Sequence, residues 1–158
     1  VADRDAEFLR RAIDLALENV RANQGGPFAA LVVRDGRILG EGTNLVTSTN
    51  DPTAHAEIVA IRRACAAVGS FQLDGCDLYA TCEPCPMCLG AIYWARPQRV
   101  IFAATREDAS LIGFDDSLIY REISASLEER RLPMVQMLRE EALAIFEEWR
   151  RKEDKIPY

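Results

Sequence analysis

The sequence predicts a single α/β domain, a mixed five-stranded sheet with helices packed on it. Three observations carry that expectation. Apolar residues change period along the chain, from helical spacing to short extended runs and back, so strands and helices alternate through the middle. At 158 residues, 49% hydrophobic and 28% charged, the chain has the size and composition of one globular domain able to bury a core. No internal repeat, linker or low-complexity tract divides it, so residues 1–158 read as one unit.

Each element follows from its local pattern. Phe8, Leu9, Ala12, Ile13, Ala16, Leu17 and Val20 recur at helical spacing with charges between them, and Gly25-Gly26-Pro27 ends that amphipathic helix. Phe28 to Val33 and Arg37 to Gly42 flank Arg34-Asp35-Gly36, whose Asp-Gly pair is a strong hairpin turn. The polar stretch Asn44 to Pro52 reads as a loop, and Asp51 or Thr53 caps a helix from about Ala54 to Val68. Cys76 to Thr81 reads as a third strand, and Pro84 and Pro86 as a strand-to-helix turn leading into a helix through Tyr93-Trp94. Arg99 to Ala104 is a fourth strand and Leu132 to Leu138 a fifth. The helix from Glu140 to Lys152, with Leu143, Phe146 and Trp149 on one side, closes the chain. Strand-helix-strand order in the middle implies parallel pairing there.

Composition excludes several classes of function. No apolar run approaches the roughly 20 residues that span a bilayer. The opening Val1-Ala2-Asp3-Arg4-Asp5 is charged, unlike the apolar core of a signal peptide. Five cysteines, three of them between Cys82 and Cys88, suit a reducing compartment and a metal better than a disulfide framework, so a cytoplasmic protein is expected. The net charge of −6 opposes a phosphate backbone, which favours a small uncharged substrate over a nucleic acid.

The chemistry concentrates in His55-Ala56-Glu57 and Pro84-Cys85-Pro86-Met87-Cys88, at the starts of two successive helices. One imidazole and two thiolates make a three-ligand zinc site that leaves the fourth position open to water, the mark of a catalytic zinc rather than a structural one. This H-x-E…P-C-x-x-C pattern is the known zinc deaminase signature. His55 is the only histidine, and 26 residues separate Glu57 from Pro84. Glu57, beside the ligands but not one of them, has the placement of a proton shuttle. Blander readings exist. Cys85 and Cys88 alone would serve a thiol redox pair, but that leaves His55 and Glu57 idle. The Cys82, Cys85, Cys88 run lacks the fourth cysteine of an iron–sulfur motif. A zinc protein without turnover has no use for Glu57.

With both motifs in hand, the chain resembles the cytidine deaminase superfamily and, within it, the bacterial guanine deaminases. The resemblance spans essentially the whole length. Beyond the zinc motifs, it is carried by Gly26-Pro27-Phe28, Asn44, the run from Asn50 to Ala54, Ala91 to Pro97, Gly113-Phe114-Asp115-Asp116-Ser117 and the terminal Tyr158. It implies a three-layer cytidine-deaminase-like fold with helices on both sheet faces, and hydrolytic deamination of guanine to xanthine and ammonia. It implies one zinc per subunit, held by His55, Cys85 and Cys88, with Glu57 catalytic. It also implies substrate contacts from Phe28, Asn44, Ala56, Asp116 and Tyr158. Tyr158 would reach over from the partner in a domain-swapped homodimer. Guanosine, cytosine, an aminotriazine or a tRNA adenosine are the alternative substrates within the superfamily. On residue chemistry alone, either Asp115 or Asp116 equally caps a following helix, Asn44 holds a loop, and Tyr158 is a frayed end.

Overall fold

The 20-residue helix α1 (Ala2–Arg21) buries a narrow stripe, Ala12, Ala16 and Asn19, while Ile13, Leu17 and Val20 lie outward. A hairpin follows, β1 (Ala29–Arg34) and β2 (Arg37–Thr43), and its turn residues Asp35 and Gly36 take φ of 51° and 76°. Two positive φ values suit the twist of a tight hairpin, and Asp-Gly tolerates them. The strand β3 (Asp77–Cys82) pairs antiparallel with β1, and β4 (Arg99–Ala104) pairs parallel with β3, giving the order β2-β1-β3-β4. The computed structural model describes residues 2–158, in two compact units divided after Asp116.

In the first unit the period-2 alternation of β1 sorts its side chains to two cores. Ala29, Leu31 and Val33 meet Ala12, Ala16 and Tyr79 on the α1 side. Ala30 and Val32 meet α3 (Ala56–Val68) and α4 (Pro86–Ala95) through Ala56, Ala60, Ala64, Ile92 and Ala95 on the other. Helices therefore cover both faces. Gly40 and Gly42 of β2 bring α3 into backbone contact with the sheet: a Cβ on Gly42 would stand 2.1 Å from the Ala56 carbonyl oxygen. At the far end of the strands, Arg99 donates to Asp5 and Asp77, and the Tyr79 hydroxyl donates to Asp5 at 2.6 Å, tying α1 to β3 and β4.

Three expectations need correction. The sheet has four strands among the described residues, because Leu132 to Leu138 forms none. The run is apolar enough for a strand, but a strand exists only as part of a ladder. Pro133 removes one donor, and Leu132, Val135 and Met137 are exposed in a unit with no other strand. The capping residue of α3 is His55 rather than Asp51 or Thr53. The Asp51 carboxylate instead accepts from the Thr53 N–H and hydroxyl, and so shapes the turn leading into the helix. A short helix, α2 (Val46–Thr49), occupies part of the stretch read as a loop, α5 (Arg106–Leu111) fills a stretch given no element, and α6 (Ser117–Ser124) follows Asp115-Asp116. The last helix of the second unit is α7 (Arg139–Arg151), as its amphipathic pattern predicts.

Candidate active site

His55 and Cys85 are the N-caps of α3 and α4, and each has extended backbone just before its helix begins. Neither side chain is turned inward to satisfy a distant backbone group. The imidazole of His55 makes no cap hydrogen bond, and the Cys85 thiol accepts from the backbone N–H of Cys88 one turn on, at 3.5 Å. Pro86 stands where the first helical turn needs no donor. Because α3 and α4 share one sheet face, their starts converge. His55 Nδ1 lies 3.5 Å from both Cys85 Sγ and Cys88 Sγ, and the three donor atoms fall within 4.8 Å of one another.

That spacing fits zinc. Ligands at about 2.3 Å for sulfur and 2.0–2.1 Å for nitrogen, on a tetrahedron, stand roughly 3.6 Å apart. Three protein donors cover three vertices and leave the fourth to solvent or substrate. The two thiols share a proton unevenly, and Cys85 is the one favoured as thiolate. Hydrogen bonding from Cys88, with His55 adding to it, pulls Cys85 down to about 4, while Cys88, sharing its proton with Cys85, is pushed up. Bonding to Cys85 raises His55 in turn. Glu57, in the first turn of α3, is only 8% exposed, and burial pushes its carboxyl above the ordinary range.

The other expected residues lie in the first unit, with one exception. Ala56 is fully buried at the start of α3. Phe28 packs against the core that includes Ala56, and meets Phe114 edge-on at 5.0 Å and 87°. Asn44 is buried, and its Oδ1 accepts from the N–H groups of Gly26 and Val46 at 3.1 and 3.2 Å. The amide is thereby oriented, with Nδ2 as its remaining donor. Of the two aspartates, Asp116 is the inward one: its side chain is 18% exposed and its carboxyl feels the charge of Cys85, whereas Asp115 is exposed. Burial raises Asp116, and the Arg106 guanidinium 4.0 Å away opposes that rise. Tyr158 ends the second unit, exposed.

Asn19 escaped the sequence reading. Buried on α1, its Nδ2 donates to the carbonyls of Gly26 and Asn44 at 3.1 and 2.9 Å, fixing the two loops that carry Phe28 and Asn44. The available signal was a polar residue one turn beyond Ala12 and Ala16 on the buried stripe.

The model of the cytidine and deoxycytidylate deaminase zinc-binding region matches residues 2–104. The chain belongs to this deaminase family. Along 96% of its length it is 56% identical to the guanine deaminase of Bacillus subtilis (strain 168), covering 97% of that protein. The crystal structure of the Bacillus subtilis guanine deaminase superimposes with a TM-score of 0.95, over 97% of this chain and 98% of that one. A guanine deaminase structure from Nitrosomonas europaea is 36% identical, with a TM-score of 0.66 over 69% of this chain and 63% of that one. The tRNA-specific adenosine deaminase of Haemophilus influenzae is 41% identical over 71% of this chain and 68% of its own length. The fold is thus that of the cytidine deaminases, and His55, Cys85 and Cys88 are its zinc donor set.

Proposed function

We propose that the chain hydrolyses guanine to xanthine and ammonia. The observation that carries this is the joint presence of a converged His55–Cys85–Cys88 donor set and a buried Glu57 in a chain 56% identical end to end to a guanine deaminase. Zinc held by these three residues supplies the Lewis acidity that makes a water nucleophilic near neutral pH. Glu57 takes one proton from that water and delivers it to the ring nitrogen beside the carbon under attack. Once the oxygen has bonded to that carbon, Glu57 takes its remaining proton and passes it to the exocyclic amine, so that the C–N bond breaks and nitrogen departs as ammonia. Its burial suits a carboxyl that must carry a proton between two acceptors.

Around this chemistry Asn44 donates through Nδ2 to an acceptor of the purine, since its oxygen is committed to Gly26 and Val46. Asp116 accepts from a ring N–H, the Ala56 backbone lies against the base, and Phe28 packs on its face. Residues 1–158 act as one deaminase domain whose segment 117–158 is exchanged in a homodimer, so that Tyr158 of one chain closes the pocket of the other. The exposure of Leu132, Val135, Met137, Phe146 and Trp149 supports a covering partner for this segment. Free cysteines suit a cytoplasmic setting, and no helix among the described residues is long and apolar enough to cross a membrane.

A second reading, tRNA adenosine deamination, draws on the Haemophilus influenzae relative but runs against the net charge of −6. A panel of guanine, guanosine, cytosine, cytidine, adenine and tRNA stem-loops, read by ammonia release beside metal analysis, separates the two. Ammonia from guanine with about one zinc per chain is expected. Zinc-loaded protein that spares guanine while deaminating another member overturns the proposal.

A further inference from the structure

We propose that Arg106 is a positioning residue for substrate recognition, holding the Asp116 carboxylate where it meets the purine; this rests on the guanine deaminase reading above. The support for Arg106 is built from two sides. Thr105 caps α5 by accepting from the Asp108 N–H at 3.3 Å, and Asp108 accepts in return from the Thr105 N–H at 2.9 Å and its hydroxyl at 3.0 Å. From the other side, the Glu83 carboxylate accepts the Arg106 N–H at 3.0 Å, and the Glu83 N–H donates to the Ala104 carbonyl at 2.8 Å. Glu83 lies two residues before Cys85. The backbone of Arg106 is therefore registered to the same loop that presents a zinc ligand.

From this fixed base the chain runs through α5 and turns back. The Phe114 N–H donates to the Ala109 carbonyl, and Gly113 takes a φ of 98° that a side chain rarely adopts. The return brings Asp116 Oδ1 to 4.0 Å from Arg106 Nε. Arg106 is a cation facing that carboxylate, and Asp115 next to it is of like charge. A partly buried carboxylate beside a second one keeps its charge and orientation better where a cation faces it. A protonated or averted Asp116 no longer accepts a ring N–H of guanine. Glu83 and Arg106 thus couple the metal loop to the recognition carboxylate through one short chain of contacts. Arg106 acts through Asp116 and need not touch the base.

The test compares Arg106→Gln and Arg106→Lys with wild type, reading kcat and KM for guanine, the Kd for the product xanthine, zinc content and Tm. For Arg106→Gln, KM and the xanthine Kd rise about fivefold, in line with a partly exposed ion pair. The kcat, zinc content and Tm stay near wild type, and Arg106→Lys recovers most of the loss. Unchanged KM and Kd in Arg106→Gln overturn the proposal. So does an Arg106→Lys variant that falls as far as Arg106→Gln with a lowered Tm, because that pattern marks a structural role. A wild type that binds zinc but releases no ammonia from guanine overturns the activity reading itself, and the positioning role with it.

Discussion

Replacing Gly42 by alanine should damage catalysis without touching any group that does chemistry. A Cβ at this position would lie 2.1 Å from the Ala56 oxygen, 2.5 Å from the Ala60 nitrogen and 3.1 Å from the Ala60 Cα. All three are backbone atoms of α3, so no side chain can swing aside. To reach even the 3.0 Å floor of real Cβ contacts, helix and strand must part by about 0.9 Å at the helix start. That start carries His55 and Glu57, whereas Cys85 and Cys88 sit on α4 and are not pushed. A misplacement of about 1 Å between reacting groups can cost roughly 100-fold in rate. Overpacking of this kind costs typically about 1–3 kcal/mol of stability, or a Tm lower by on the order of 5 °C in a chain of this size. Ammonia release from guanine, zinc content and thermal melting are the measurements. Gly90→Ala is the control: its Cβ meets nothing within 4 Å inside α4, so it should stabilise by about 0.5–1 kcal/mol and leave kcat alone. Wild-type kcat and Tm in Gly42→Ala would refute the claim that backbone contact at β2 sets the position of the ligand helix.

Glu57→Gln should keep its zinc and lose about 100- to 10,000-fold in kcat, the usual worth of a positioned acid–base group; zinc lost together with activity would make Glu57 a structural residue. Removing the last few residues, Tyr158 included, should raise KM for guanine with zinc content unchanged, and unaltered kinetics would leave Tyr158 without a role. Asp5 offers a test of the clamp at the opposite end of the sheet. Its pKa is lowered by hydrogen bonds from Arg99 first and Tyr79 second, so the folded state favours the charged form. That contribution is present above the unfolded pKa of about 3.9 and is lost as pH falls through the lower folded value. Asp5→Asn should therefore melt below wild type at pH 7, and the gap should close in acid. A gap that persists at the same size below the folded pKa would show that the charge is not what the clamp uses.

How legible each part was in the sequence depends on whether its physics is local. His55, Cys85 and Cys88 were readable because few residue types ligate zinc, and Glu57 because it stands two positions from a ligand in the H-x-E…P-C-x-x-C signature. The hairpin at Asp35-Gly36 was readable from its local turn chemistry. Asn19, the orientation of Asn44, the inward turn of Asp116 and the close approach at Gly42 were not, because each depends on a partner from a distant segment. Leu132 to Leu138 failed in the opposite way: its local pattern suits a strand, but pairing is a property of two segments, and no second strand lies beside it in its unit.

The convergence of the ligands is itself a consequence of strand order. With the sheet running β2-β1-β3-β4, the connection through α3 passes from β2 over β1 to β3, and the connection through α4 continues in the same direction from β3 to β4. Crossovers between parallel strands share one hand almost without exception, and two that advance in the same direction must lay their helices on the same face. The buried residues of α3 and α4 do share a single core with that face of β1 and β3, while α1, which precedes the hairpin, covers the other. Both helices begin just beyond the same region of the sheet, so their capping residues His55 and Cys85 meet there, with Cys88 one turn further on and 3.5 Å from the imidazole. The distance in sequence between the two motifs is therefore free to take any value that builds one helix and one strand, whereas the distance in space is not. For the same reason a perturbation that moves α3 alone, such as Gly42→Ala, acts on the relation between two ligand groups and not on either by itself.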